Sequence, residues 1–146
     1  MENVIHMENV SKKRDEKEII SNVNLHVKQG EIYGLLGSNG AGKTTVMRMI
    51  THLIKPTSGK IRLFGEEIYS YSYDTYKRIG TLIESPIMYE HLSARENLAI
   101  HCEYMGYFDK SSVNEALELT GLTHTKEKAV KQFSLGMKQR LGIARA

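Results

Sequence analysis

Gly37-Ser38-Asn39-Gly40-Ala41-Gly42-Lys43-Thr44 places a glycine, four residues, a second glycine, a lysine and a threonine in a row. That spacing is what a phosphate-binding loop requires. Glycines let the backbone turn its N–H groups inward around phosphate oxygens, and a helix that follows presents the positive end of its dipole to the same anion. Lys43 adds a point charge, Thr44 offers a hydroxyl to Mg²⁺, and Thr45 can reach an α-phosphate. The flanks have the required character. Ile32-Tyr33-Gly34-Leu35-Leu36 is the continuous apolar run of a strand covered on both faces, and residues 43–54 set Val46, Met47, Ile50, Leu53 and Ile54 at helical spacing. A glycine-rich turn that merely precedes Lys-Thr is the plainer alternative, and the strand before and helix after weigh against it.

Working outward, Val23-Asn24-Leu25-His26-Val27 alternates as a half-buried strand and stops at Gln29-Gly30, while Ile61-Arg62-Leu63-Phe64 and Thr81-Leu82-Ile83 read as further strands. Lys55-Pro56-Thr57-Ser58-Gly59 ends the helix after the loop, and Tyr69-Ser70-Tyr71-Ser72-Tyr73 reads as surface loop. After Pro86 the pattern turns helical, with capping boxes at Ser93-Ala94-Arg95-Glu96 and Ser112-Val113-Asn114-Glu115 and a stop at Gly121. Met105-Gly106-Tyr107-Phe108-Asp109 reads as a helix end and loop, and a last helix begins near Met137. Met-Glu-Asn-Val occurs twice, at 1–4 and 7–10, too short for a repeat.

The 146 residues carry 20 Lys plus Arg, 17 Asp plus Glu and one cysteine, Cys102. The size fits one ordinary domain with a real core. One cysteine forms no internal disulfide, no run approaches the ~20 apolar residues that cross a bilayer, and the start, with Glu2 and His6, lacks a signal-peptide pattern. A cytoplasmic chain is expected. Basic residues alternate with acids in Lys12-Lys13-Arg14-Asp15-Glu16-Lys17-Glu18, the pattern of a solvated mixed face, so no nucleic-acid partner is expected.

Phosphate loops serve several enzyme classes. The guanine-reading element Asn-Lys-x-Asp is absent, and the discriminating stretch lies at the other end. Phe133-Ser134-Leu135-Gly136-Met137-Lys138-Gln139-Arg140, followed by Ala144-Arg145-Ala146, is similar to the signature motif of ABC transporter ATPases, Leu-Ser-Gly-Gly-Gln with a following Gln-Arg and Ala-Arg-Ala. Read alone, it is equally a basic amphipathic helix with a serine cap. With the upstream loop as Walker A, the resemblance covers essentially the whole chain. Ile83-Glu84-Ser85-Pro86, Glu96-Asn97-Leu98 and the signature are most similar to exporters giving resistance to bacitracin or lantibiotic peptides.

The resemblance implies an α/β fold: a P-loop NTPase core of the ABC type, with an N-terminal antiparallel β region and a helical subdomain. Residues 1–84 would form the β-rich core with Walker A, and 85–146 the helical subdomain with the signature. It implies ATP and Mg²⁺ as ligands, a dimer of ATPase domains, and a transmembrane permease subunit docking around residues 85–98 at the inner face of the membrane. Gly37, Ser38, Asn39, Gly40, Ala41, Gly42, Lys43, Thr44 and Thr45 would bind the nucleotide, with Lys43 also catalytic. Ser134, Leu135, Gly136 and Met137 would face a second subunit's γ-phosphate, and the serine hydroxyl and free N–H groups there suit an anion.

The sequence departs from the family pattern at several points. Arg14 stands where an aromatic usually stacks on adenine; it either stacks as a guanidinium plane or belongs to the solvated basic surface. Glu84 replaces the usual glutamine, and is either a Mg²⁺ ligand and water-positioning catalytic group or a solvated carboxylate. Leu135 and Met137 replace a glycine and the glutamine of the signature. The aspartates are Asp15, Asp74 and Asp109, none beyond the signature, so the Walker B part is lacking. The sequence thus predicts nucleotide binding with hydrolysis close to absent, and an open sheet edge that favours self-association. The expected function is the ATP-binding subunit of an ABC exporter, an ATPase at family level. The alternatives are a non-hydrolysing nucleotide-binding or dimerisation fragment, and a remnant without function.

Overall fold

The computed structural model describes residues 3–68, 73–84, 86–106 and 110–146; the stretches 69–72 and 107–109, and Ser85, lie outside them. The chain divides into two compact units, Met1–Ile79 and Gly80–Ala146.

The first unit is built on a hairpin of β1 (Asn3–Arg14) and β2 (Lys17–Lys28). Asp15 and Glu16 connect them with φ of 49° and 63°, the left-handed pair that a two-residue hairpin turn requires. β3 (Ser58–Leu63) pairs antiparallel with β1, and β4 (Glu66–Glu67) with β3, giving the order β2-β1-β3-β4. The expected strand 23–27 falls within β2, and of the expected strand 61–64 residues 61–63 fall within β3, while Phe64 turns left-handed at φ 51°. Alternate residues Val10, Leu25, Val27, Ile61 and Leu63 face one core, onto which α1 (Lys43–Ile50) lays Val46 and Met49. A short helix, α2 (Tyr73–Tyr76), follows, with Thr75 Oγ1 donating to Glu66 Oε2 at 2.8 Å.

Three sequence expectations fail in this unit or at its border. Residues 32–36 form no strand, and Ile32 and Leu36 are 100% and 93% exposed. An apolar run becomes a buried strand only between neighbouring strands, and none of the described residues pairs with it. Residues 81–83 likewise form no strand, for the same reason. The helix predicted over 43–54 stops at Ile50: the Thr51 hydroxyl bonds the Met47 carbonyl at 3.0 Å, and His52 turns left-handed at φ 57°. Met47 and Leu53 are exposed in consequence.

The second unit packs α3 (Ala94–Met105), α4 (Lys110–Leu119) and α5 (Leu135–Arg145) around Leu98, Leu117, Leu122, Val130 and Leu141. The Ser93 capping box forms as expected: Ser93 Oγ accepts from Glu96 N at 3.2 Å, and Ser93 N donates to Glu96 Oε2 at 2.7 Å. The second expected box does not cap α4, because that helix begins at Lys110 and Ser112 already lies inside its first turn. Gly121 stands just past the helix in left-handed conformation, φ 66°. α5 approaches the chain before α3 closely at Gly142, where a Cβ would lie 2.8 Å from Pro86 Cγ and 2.9 Å from Leu82 Cδ1.

Candidate functional site

In the first unit, the loop 37–42 leads straight into α1. Gly42 is the N-cap of that helix, with φ 89° and no side-chain cap bond, and no acidic residue occupies the first turn. The helix therefore presents unsatisfied N–H groups and positive dipole potential to whatever lies at its start. Only glycine fits position 42: besides the left-handed backbone, a Cβ would collide with Ile20 Cδ1 and lie 3.3 Å from the Ile19 carbonyl oxygen. Lys43 Nζ donates to the carbonyls of Gly37 and Ser38, each at 2.7 Å, so the ammonium charge is drawn into the loop. These bonds account for two of its three donors. Ile19, Asn39, Gly40, Gly42, Lys43, Thr44 and Thr45 enclose a cavity of about 280 Å³. An open helix start, a lysine ammonium and an exposed Thr44 hydroxyl are the donor set a polyphosphate and its cation require.

A second cavity of about 340 Å³ adjoins this one and shares Ile19 and Thr45 with it. Arg14 lines it, together with Lys12, Lys13 and Arg48. The structure thus brings Arg14 beside the loop, and it adds three basic residues that sequence reasoning missed. Lys12 and Lys13 were legible only as part of a mixed-charge run; the signal lay in the hairpin, whose end carries them toward α1. Arg48 lies one helical turn after Thr44 and Thr45.

In the second unit, Ser134 caps α5, its Oγ accepting from Met137 N at 3.3 Å. A hydroxyl that accepts one bond still has its proton to donate. Ser134, Leu135 and Gly136 are exposed, and the space around Gly136 is open, so the first N–H groups of α5 face outward. The helix is moored behind them by Lys138 to Glu90 at 2.6 Å and by Arg140 to the Thr120 and Gly121 carbonyls at 3.3 and 3.1 Å. The Lys138 hydrogen bond and charge hold the Glu90 carboxyl below its usual range. Glu84 is exposed and takes a left-handed backbone, φ 65°, which disfavours any residue but glycine by about 1–2 kcal/mol.

A groove of about 320 Å³ in the same unit gathers Ile87, Tyr89, Ile100, Tyr104 and Met105, all exposed, with His101 and Arg145. Its wall is held by Asn97, another residue whose role the sequence did not reveal. The buried amide accepts from Tyr89 N at 2.9 Å and donates to the Tyr89 and Ser93 carbonyls at 3.0 and 2.9 Å. The signal was a polar residue three positions after Ala94 and beside Leu98, on the buried face of the helix. Burial pushes His101 below its ordinary pKa, and the Arg145 charge adds to this against an opposing backbone hydrogen bond at Arg145.

The family model described as ABC transporter matches residues 20–146. The chain belongs to the ABC transporter family. It is 53% identical over 143 residues to the uncharacterized ABC transporter ATP-binding protein YcbN of Bacillus subtilis, covering 98% of this chain and 47% of that one. It is 48% identical over 146 residues to the bacitracin transport ATP-binding protein BcrA of Bacillus licheniformis, covering 100% of this chain and 48% of that one. The chain therefore spans about half the length of these relatives. Among solved structures, an ATP binding subunit of an ABC transporter superposes with a TM-score of 0.78 at 26% identity, over 98% of this chain and 61% of that one. The α/β class and ABC-type core expected from the sequence stand. Among the described residues, no helix is long and apolar enough to cross a membrane.

Proposed function

We propose that this chain is the nucleotide-binding part of an ABC exporter's ATPase subunit. ATP sits with its β- and γ-phosphates in the loop 37–45, held by the backbone N–H groups at the start of α1 and by Lys43. Thr44 would offer its hydroxyl to Mg²⁺. The cation would supply charge neutralisation of the phosphates. Ser134 and Gly136 complete the nucleotide site of a second copy, and the groove walled by Tyr89 and Tyr104 receives a permease subunit at the cytoplasmic face of the membrane. The similarity to a bacitracin transport protein supports a peptide antibiotic as the exported compound.

The observation that carries this reading is the uncapped start of α1 with Lys43 drawn over it. Calorimetry with Mg-ATP tests it. A charge-assisted hydrogen bond contributes about 1.5–3 kcal/mol, so Lys43→Ala should weaken binding roughly ten-fold or more. Equal affinity in the two forms refutes the assignment. A second reading, a non-hydrolysing dimerisation module, is favoured by the exposed start of α5, which can serve a partner's nucleotide without turnover in this chain. Suppressed ATPase activity on mixing with a full-length relative supports it, and unchanged activity removes it.

A further inference from the structure

The stretch 86–90 touches both the groove and α5. Ile87, Met88 and Tyr89 line the groove, and Arg145, at the end of α5, lines it with them. The same stretch runs along one face of the helix. Arg145 donates to the Ile87 carbonyl at 2.9 Å, Gly142 leaves room for Pro86, and Lys138 Nζ donates to Glu90 Oε1 at 2.6 Å. Positions 138, 142 and 145 follow helical spacing, so they form a single stripe about 10 Å long on α5. The stretch is thus a strap laid along the helix and gripped near both ends. On its other side Tyr89 is held by Asn97 of α3, and the Glu90 carbonyl accepts from Lys131 N at 2.8 Å.

We propose that this strap transmits occupancy of the groove to the start of α5, with Lys138 and Arg145 as positioning residues that set where Ser134 stands. The proposal rests on the reading above, in which the groove receives a permease subunit and Ser134 serves a second copy's nucleotide, and adds the link between them. A partner seated in the groove presses on Ile87 and Tyr89 and on the Arg145 side chain. From Glu90 the displacement passes to Lys138, whose own N–H donates to the Ser134 carbonyl at 3.0 Å. The helix moves as one body, because its backbone bonds run from the Ser134 carbonyl to the Ala146 amide. The grip is also releasable. Its side chains are 29% exposed for Lys138 and 62% for Glu90, an ion pair that yields to a partner instead of locking the helix.

The test is amide hydrogen exchange followed by NMR on the 146-residue chain, read at residues 137 and 138 and referred to Leu122, whose N–H donates to the Leu117 carbonyl in the core of the same unit. Tyr89→Gly loosens the strap at the groove, and Tyr89 is 55% exposed, so the change spares the core. Asn97→Ala, which frees the Tyr89 amide, is the second variant. Each should speed exchange at 137 and 138 roughly three- to five-fold relative to Leu122. When the same changes are made in Lys138→Gln/Arg145→Gln, that ratio should fall to about one, and in Lys138→Arg it should persist. Exchange that rises equally at Leu122 reports general unfolding and overturns the strap, as does a ratio that survives in Lys138→Gln/Arg145→Gln. Sedimentation with Mg-ATP separates this from the underlying reading. Nucleotide-dependent self-association with uncoupled exchange overturns the strap alone, whereas coupled exchange without self-association overturns the role of Ser134 on which the proposal stands.

Discussion

Gly42→Ala is the sharpest perturbation of the phosphate loop, because its cost has two separable sources. The first is backbone: at φ 89° an alanine is disfavoured by about 1–2 kcal/mol. The second is packing: the new Cβ collides with Ile20 Cδ1, the tip of a buried side chain in the same core cluster as Met7, Val10 and Val46. Overpacking of this kind costs about 1–3 kcal/mol. The lower entropy of the unfolded alanine chain returns about 0.4–1 kcal/mol, leaving a net loss of about 1–4.5 kcal/mol. Ile20→Val removes the colliding atom and costs about 0.5–1.5 kcal/mol by itself. The double variant should therefore be less destabilised than the two single variants added together, by about 1 kcal/mol or more. Chemical denaturation followed by far-ultraviolet circular dichroism measures all four corners of the cycle. Additivity within about 0.5 kcal/mol would show that β2 does not press on the loop at Gly42, and the account of the cradle would fail.

Asn97→Ala should destabilise the helical unit by about 1–3 kcal/mol, since it leaves the Tyr89 amide without its acceptor and removes one of two bonds to each of the Tyr89 and Ser93 carbonyls; an unchanged thermal midpoint and unchanged hydrogen exchange at the Tyr89 amide would contradict this. Hydrogen bonds at Ser93 hold the Glu96 carboxyl below its usual value of 4.5. A depressed carboxylate contributes stability above its unfolded pKa and loses it as pH falls through the folded one, so the acid side of the stability profile should drop below about pH 4.5. Glu96→Gln, which keeps a capping-box side chain, should flatten that limb, and an identical acid limb in both forms would exclude Glu96 as its source. Ser134→Ala should cost about 1 kcal/mol as a lost N-cap and also weaken ATP-dependent self-association measured by sedimentation, whereas Ser134→Thr should retain both; loss of the cap energy alone would confine Ser134 to a structural role.

What the sequence made legible was decided within a few residues of itself. The loop 37–44 carries its own glycines, and Ser93 and Ser134 bond groups three residues away, so cap and loop chemistry survive whatever else the chain contacts. Strand 23–27 was readable because its alternation meets a sheet whose partner is the adjacent hairpin strand. The apolar runs at 32–36 and 81–83 state only that those residues favour burial; which strands would bury them is a long-range property, and none of the described residues supplies those strands. The same distinction governs the site. Charge alternation along 12–18 predicts solvent exposure, which Arg14 and Asp15 show, yet the tight Asp15-Glu16 turn also brings the end of β1 to α1, where Lys12, Lys13 and Arg14 meet Arg48. One hairpin turn thus makes an ordinary polar run into the wall beside the phosphate loop. The wall beside the loop is consequently set by a fold-dependent juxtaposition of cations, whereas the loop itself is set by a motif carried within eight consecutive residues.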